Sequence, residues 1–157
     1  MKLTAKEDIE APIDEVFAQL TDFEGFERAG LRRGAHIQRT DLPRISGVGQ
    51  TWQVGLDYRG KRRVFSLRLQ AMDRPNSVHL TGGSKSMEGE MIVDLVPLSR
   101  RRTRVSVALE VKAKTLASRI FLQSLRLAKG RVTQGFSGRV KAFMAAIEDR
   151  LAKPTLG

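Results

Sequence analysis

The feature that most constrains the fold is an apolar stripe near the C-terminus, between Thr115 and Ala152. Apolar side chains recur there in steps of three or four residues, which is the spacing of one face of an α-helix. The members of the stripe are Phe121, Leu125, Ala128, Val132, Phe136, Val140, Phe143, Ile147 and Leu151. Such a helix would be roughly 55 Å long if straight. Because glycines at positions 130, 135 and 138 would weaken it, we predict one long or kinked helix laid across the rest of the chain.

The chain before this stripe has the alternating pattern of half-buried β-strands. Apolar and polar residues alternate in segments that turn residues separate, which is typical of an antiparallel meander. The predicted strands cover 2–10, 35–40, 51–58, 64–71, 78–83, 87–96 and 105–111. Ala11-Pro12 introduces two short helices, 13–20 and 23–28, and a charged loop is predicted at 97–102. The fold class is therefore α+β.

Composition limits the kind of protein this is. A chain of 157 residues is long enough for one core, and no run of eighteen apolar residues is present. We expect one domain over 1–153 and a frayed tail over 154–157. The absence of cysteine and of an apolar core in the first residues leads us to expect a cytoplasmic protein. With two histidines, no thiol and no carboxylate cluster at ligand spacing, we expect neither a metal nor another cofactor.

The net charge of +11 is concentrated in one part of the chain. Between Arg100 and Lys141 there are twelve Lys or Arg residues and one acid, Glu110, whereas the rest of the chain carries sixteen charges of each sign. Such a surface favours an anionic partner, such as nucleic acid, the ribosome or an acidic membrane, or it simply keeps the protein in solution. The residues predicted to form it are Arg100, Arg101, Arg102, Arg104, Lys112, Lys114, Arg119 and Arg126.

Two motifs resemble those of the START-like SRPBCC superfamily. The first is the opening Ile9-Glu10-Ala11-Pro12 through Val16-Phe17, and the second is Gly47-Val48-Gly49-Gln50-Thr51-Trp52. With the terminal amphipathic helix, the resemblance covers nearly the whole chain, although 26–33 lacks the tryptophan that the family often has there. It implies a helix-grip fold, in which a curved seven-stranded antiparallel sheet surrounds the C-terminal helix and leaves a cavity. Members bind lipids, polyketides, hormones or quinones, and some are cyclases.

A sheet broader than one helix leaves unfilled space, and this space is the predicted ligand cavity. Apolar residues of the sheet and of the helix stripe would line it. The predicted lining is Trp52, Val54, Tyr58, Phe65, Leu67, Leu80, Met91, Val93, Phe121, Leu125, Ala128, Val132 and Phe136. Most of these are equally explained as core. Lys129 and Arg139, at the margins of the stripe, could meet an anionic head group or extend to solvent.

Catalytic signals are weak. His36 and His79 are the only side chains that titrate near neutrality without perturbation, and His79 should face away from Val78 and Leu80. Glu88 and Glu90 share one strand face and could do acid–base work, but such a pair is more often simply exposed.

Three functions therefore remain open. The first is the binding or transport of a hydrophobic small molecule, such as a lipid, a quinone or a polyketide-like compound. The second is docking on RNA, the ribosome or an acidic membrane through the basic residues, and the third is a cyclase-type enzyme. We favour the first, with enzymatic activity less expected than binding.

Overall fold

A computed structural model describes residues 1–153 of the chain, and the predicted tail at 154–157 lies outside the described residues. Seven strands and four helices follow one another along the described residues. They are β1 (Lys2–Ile9), α1 (Ile13–Leu20), α2 (Phe23–Arg32), β2 (His36–Arg39), β3 (Thr51–Tyr58), β4 (Lys61–Asp73), β5 (Ser77–Gly83), β6 (Met87–Ser99), β7 (Arg102–Ala113), α3 (Leu116–Leu127) and α4 (Lys129–Ala152).

The strands form one curved antiparallel sheet in the order β1-β7-β6-β5-β4-β3-β2. Consecutive strands from β2 to β7 are neighbours, and β1 returns to pair with β7. Arg59 and Gly60, with φ values of 52° and 73°, form a tight turn between β3 and β4. The predicted α+β helix-grip architecture, with seven antiparallel strands and two short helices between the first two, is confirmed. The domain boundaries stay a prediction.

Alternation along the strands separates an inner face, which packs toward the helices, from an outer polar face. On β6, Val93 and Leu95 are buried, whereas Asp94 between them is exposed. The core continues through β7 into α1, where Val16 and Phe17 are fully buried. Apolar and polar residues therefore alternate in the sequence because one face of the sheet is covered and the other is exposed.

Local chemistry explains where the short helices begin. Pro12 occupies the N-cap of α1, and Asp14 and Glu15 lie in its first turn, where negative charge stabilises the helix dipole. The Asp22 carboxylate accepts a hydrogen bond from the Gly25 amide at 3.1 Å and so caps α2.

One charged loop predicted from the sequence is instead mostly strand. β6 extends through Pro97 to Ser99, and β7 begins at Arg102, so that only Arg100 and Arg101 form the turn. Proline is tolerated at this position because the pairing of β6 with β5 ends at Asp94, which leaves Pro97 without a neighbour on that side.

The C-terminal apolar stripe is divided between two helices. α3 ends at Leu127 and α4 begins at Lys129, with Ala128 between them at a non-helical ψ of 29°. The kink that the sequence predicted therefore precedes the glycines and does not coincide with them. A Cβ atom added at positions 130, 135 or 138 would meet nothing within 4 Å, so these glycines neither permit a close contact nor leave room beside the sheet.

The C-terminal half of α4 fixes this helix to the rest of the protein. Met144 and Ile147 are buried, and α4 packs most closely against β1. The Glu148 carboxylate accepts a hydrogen bond from the Glu10 amide at 2.8 Å, which ties this half of the helix to the end of β1. No helix within residues 1–153 is long and apolar enough to cross a membrane.

Replacing Ile147 by alanine should lower the free energy of unfolding by about 3 kcal/mol, because a fully buried side chain would leave a cavity behind. Leu127→Ala is the matched control, since Leu127 is 92% exposed, and it should change stability by no more than about 0.5 kcal/mol. Urea denaturation followed by circular dichroism measures both. Equal effects of the two substitutions would contradict the placement of α4.

Candidate functional site

A cavity of about 490 Å³ lies between the inner face of the sheet, α2 and α4. This volume is within the range of small-molecule sites in proteins, roughly 300–1,000 Å³. The lining residues are Leu20, Phe23, Phe26, Glu27, Ile37, Trp52, Val54, Leu67, Val78, Leu80, Met91, Val93, Val107, Phe136, Arg139, Val140, Phe143 and Met144. All but two of them are apolar or aromatic, so the cavity favours an apolar guest.

The structure brings together seven of the thirteen residues predicted to line the cavity. They are Trp52, Val54, Leu67, Leu80, Met91, Val93 and Phe136. The sheet residues among them lie on β3 to β6, and Phe136 faces them from α4. Contact of these residues with a ligand stays a prediction.

The other six predicted residues do not line this cavity. Tyr58 lies at the end of β3, is 54% exposed, and packs against the Arg59 guanidinium. Phe65 packs against the core from β4. Phe121, Leu125 and Ala128 belong to α3 or to the break after it, and Val132 lies at the first turn of α4. The stripe is continuous in the sequence, but the break at Ala128 separates α3 from the part of α4 that faces the sheet.

Several lining residues were missed by the sequence prediction, and five of them come from α1, α2 and β2. The rings of Phe23 and Trp52 lie 5.5 Å apart between centroids, and those of Phe26 and Phe143 lie 5.8 Å apart. α2 therefore closes one side of the cavity by joining the sheet to α4. The spacing of phenylalanines at positions 17, 23 and 26 signals burial, but it does not show what they are buried against.

Three polar groups reach the cavity. The Trp52 indole Nε1–H donates a hydrogen bond to Oε1 of Glu27 at 2.6 Å, which connects β3 to α2. The Arg139 side chain lines the cavity from α4, where the sequence placed it at the margin of the stripe. Glu27 and Arg139 form no ion pair with any residue of 1–153, so both charges can interact with a guest.

A buried ion pair fixes Trp52 from its other side. The Arg39 guanidinium lies 5.6 Å from the Trp52 ring centroid, and its Nε donates to the Asp41 carboxylate at 2.7 Å. Asp41 also accepts hydrogen bonds from the amides of Ile45 and Thr51, at 2.7 and 3.2 Å. The hydrogen bond from Arg39 holds the pKa of Asp41 well below its usual range, and the two amides act in the same direction against the effect of burial.

The candidate acid–base groups lie away from the cavity. His79 faces away from Val78 and Leu80, as predicted, and its Nε2 lies 3.1 Å from the Glu90 carboxylate on the outer face of the sheet. His36 is exposed, and its Nε2 lies 2.7 Å from Nη2 of Arg62. Among residues 1–153, no group of three or more histidine or carboxylate side chains is arranged to hold a metal ion.

The residues predicted to form one basic surface lie at two ends of β7. Arg100 and Arg101 form the β6–β7 turn, whereas Lys114 and α3 follow the other end of the strand, which has twelve residues and spans roughly 40 Å. Arg102 and Arg104 also pair with Asp8, at 3.2 and 2.9 Å, so their charges are partly offset. The hydrogen bond from Arg104 lowers the pKa of Asp8. The basic residues therefore do not form one continuous surface.

The fold is that of several solved structures at low sequence identity. The Zhui aromatase/cyclase from Streptomyces sp. R1128 superposes with a TM-score of 0.69 at 13% identity, over 100% of this chain and 98% of that protein. Norcoclaurine synthase from Thalictrum flavum gives 0.68 at 11% identity, over 99% and 89%. A START superfamily protein from Mycobacterium smegmatis gives 0.54 at 15% identity, over 90% and 98%.

The chain has the START-like SRPBCC fold. This confirms the fold that the resemblance implied. No protein-family profile matches the sequence, and no curated protein does either. The structure thus establishes the START-like fold, and the properties of the cavity indicate what kind of ligand it can hold.

Asp41→Asn should lower the melting temperature at pH 7, because it removes the charge that pairs with Arg39. The folded pKa of Asp41 lies below its unfolded value of about 3.9, so the stabilisation is present above pH 4 and is lost as the pH falls further. The difference in melting temperature between wild type and Asp41→Asn should therefore become smaller between pH 7 and pH 3. Asp57→Asn is the control, because its ion pair with Arg62 is exposed. A melting-temperature difference that does not change with pH would contradict a low folded pKa of Asp41.

Proposed function

We propose that the protein binds a hydrophobic small molecule that carries one anionic or hydrogen-bond-accepting group. The observation that carries this proposal is an apolar cavity of about 490 Å³ whose lining within residues 1–153 includes just two charged residues, Glu27 and Arg139. Apolar side chains from β3 to β6 and from α4 would surround the body of the guest, and the Arg139 guanidinium would interact with its polar group.

The solved structures of similar fold support a small-molecule role. One of them is named an aromatase/cyclase, and the norcoclaurine synthase structure contains dopamine and hydroxybenzaldehyde. Aromatic molecules of that size are compatible with the volume and with the phenylalanine and tryptophan rings of the cavity described above. The candidate guests are a lipid, a quinone or a polyketide-like compound.

A direct test uses the fluorescent probe 8-anilinonaphthalene-1-sulfonate, which has an apolar aromatic body and one negative charge. The chain contains a single tryptophan, Trp52, and it lines the cavity, so binding should quench its emission and transfer energy to the probe.

Filling the cavity with Leu80→Phe and Val140→Phe together should weaken the binding of this probe by about tenfold or more, because the added rings occupy the space of the guest. Val64→Phe and Leu98→Phe are matched controls at exposed positions and should leave binding unchanged. Unchanged binding in the filled variant, with folding verified by circular dichroism, would contradict a site between the sheet and α4.

The polar part of the proposal has its own test. Arg139→Gln should weaken the binding of the sulfonate probe by about tenfold, which is the usual contribution of a hydrogen bond to a charged group. The neutral analogue N-phenyl-1-naphthylamine should bind the variant and the wild type equally. Arg131→Gln, an exposed position on the same helix, is the control for the loss of one positive charge. Equal losses for the two probes would argue against a role of Arg139 in recognising an anion.

A second candidate function follows from Glu27. Among the lining residues that the structure describes, this carboxylate is the one acidic group, and the cyclase-type hypothesis requires an acid–base group inside the cavity. If the guest is chemically changed on the protein, Glu27→Gln should abolish turnover while the guest still binds. Conversion at an unchanged rate by Glu27→Gln would exclude Glu27 as the proton-transfer group.

A further inference from the structure

α3 has an exposed apolar face that no element within residues 1–153 covers. Leu116, Ile120 and Leu127 are 73%, 57% and 92% exposed, and their spacing of four and seven residues places them on one side of the helix. We call these three residues the α3 face. The opposite side of α3 packs inward through Ser118 and Leu122. Scattered exposed leucines are ordinary, but three aligned on one short helix form a patch.

The charged residues of α3 and of the segments that flank it in the sequence are all positive. Between Val111 and Ile147 the sequence has eight Lys or Arg residues and no acid. Arg119 and Arg126 are exposed, lie seven residues apart on α3, and border the α3 face on one side. Lys129 and Arg131 follow at the start of α4, and none of these four forms an ion pair with another residue of 1–153.

We propose that α3 docks on an anionic lipid surface. An amphipathic helix with leucine and isoleucine on one side and arginine beside them is the usual element that lies in the plane of a membrane interface. The apolar side chains would enter the region between head groups and acyl chains, and the arginines would interact with lipid phosphates. At twelve residues, about 18 Å, α3 is too short to cross a bilayer.

Two other partners agree less well with the same surface. If two copies paired through the α3 face, Arg119 and Arg126 of both copies would come together without an acidic residue to offset them. A nucleic acid would accept the arginines, but the exposed leucine and isoleucine side chains would gain nothing from phosphates.

The test is co-sedimentation of the full chain with lipid vesicles. One set contains phosphatidylcholine alone, and the other contains three parts phosphatidylcholine to one part phosphatidylglycerol. The protein should bind the second set at least about tenfold more tightly, and added salt should reduce the difference. Equal binding to both sets, or binding to neither, overturns the proposal.

The apolar contribution is tested with Ile120→Ser and Leu127→Ser together. Both side chains are exposed, so the variant should fold normally but should bind anionic vesicles at least about tenfold more weakly. Leu42→Ser and Val96→Ser are the matched controls, at 85% and 52% exposure outside α3, and they should bind as wild type does. If the control pair loses binding to the same extent, α3 is not the docking element.

The charge contribution is tested with Arg119→Gln and Arg126→Gln together. Removing two arginines near a membrane should weaken binding by about tenfold or more. Arg100→Gln and Arg101→Gln remove the same charge at the β6–β7 turn and should have little effect. A larger loss with the second pair would move the docking surface to that turn and overturn the proposal.

The competing partners give distinct results. A concentration-dependent dimer in sedimentation velocity without lipid, lost in Ile120→Ser and Leu127→Ser, would show a second copy on the α3 face and overturn lipid docking. Lipid docking would also be overturned if the protein bound single-stranded RNA but not vesicles, and if Ile120→Ser and Leu127→Ser together left the RNA binding unchanged. Vesicle binding by the cavity-filled variant described above should equal that of wild type, so this proposal can fail or succeed independently of the ligand site.

Discussion

The structure depends on how one helix is held against a sheet that is broader than the helix. α4 is fixed near its C-terminal end, where Met144 and Ile147 are buried and Glu148 is hydrogen bonded to the end of β1. β1 is an edge strand, so this attachment lies at one side of the sheet. The inner faces of β3 to β6 are then too far from the attachment for α4 alone to cover them. α2 covers part of the remainder through Phe23 and Phe26, and the uncovered space is the cavity.

The polar groups of the cavity can be understood from the same arrangement. Glu27 is positioned by its hydrogen bond from Trp52, and Trp52 is positioned by the Arg39–Asp41 pair behind it. This series connects α2, β3, β2 and the segment that follows β2 at one end of the cavity. Arg139 approaches from α4, a separate element, so a guest between them would be oriented by groups that belong to different parts of the fold. Glu27 and Arg139 can therefore orient a guest, and no histidine is among the described lining residues.

Much of this fold could be predicted from the sequence because its signals are local. Alternation of period two in β3 and β6, the Ala11-Pro12 entry into α1 and the Arg59-Gly60 turn each require only a few neighbouring residues. The break at Ala128 could not be predicted in the same way, because alanine is the best helix former and the nearby glycines point to a different position. Since that break separates α3 from α4, it also explains why Phe121, Leu125 and Ala128 were wrongly placed in the cavity.

The cavity itself could be predicted only in part. Six sheet residues were found because alternation shows which side of a strand is covered, and Phe136 was found from the helical spacing of the stripe. The contribution of α2 was missed because the contact of Glu27 with Trp52 joins residues 25 positions apart, and no local pattern reports such a contact. The basic residues cluster in the sequence, but β7 separates Arg100 and Arg101 from Lys114 and α3 in space.

The most direct test of an unfilled apolar space between the sheet and α4 is methyl NMR spectroscopy under xenon pressure. Xenon occupies dry apolar cavities and shifts the resonances of the methyl groups around them. The methyl groups of Val54, Leu67, Leu80, Val93 and Val140 should shift together and saturably, whereas those of Val16 and Val105 in the solid core should not. Small and uniform shifts across all these methyl groups would show that the interior is filled and would contradict the ligand site.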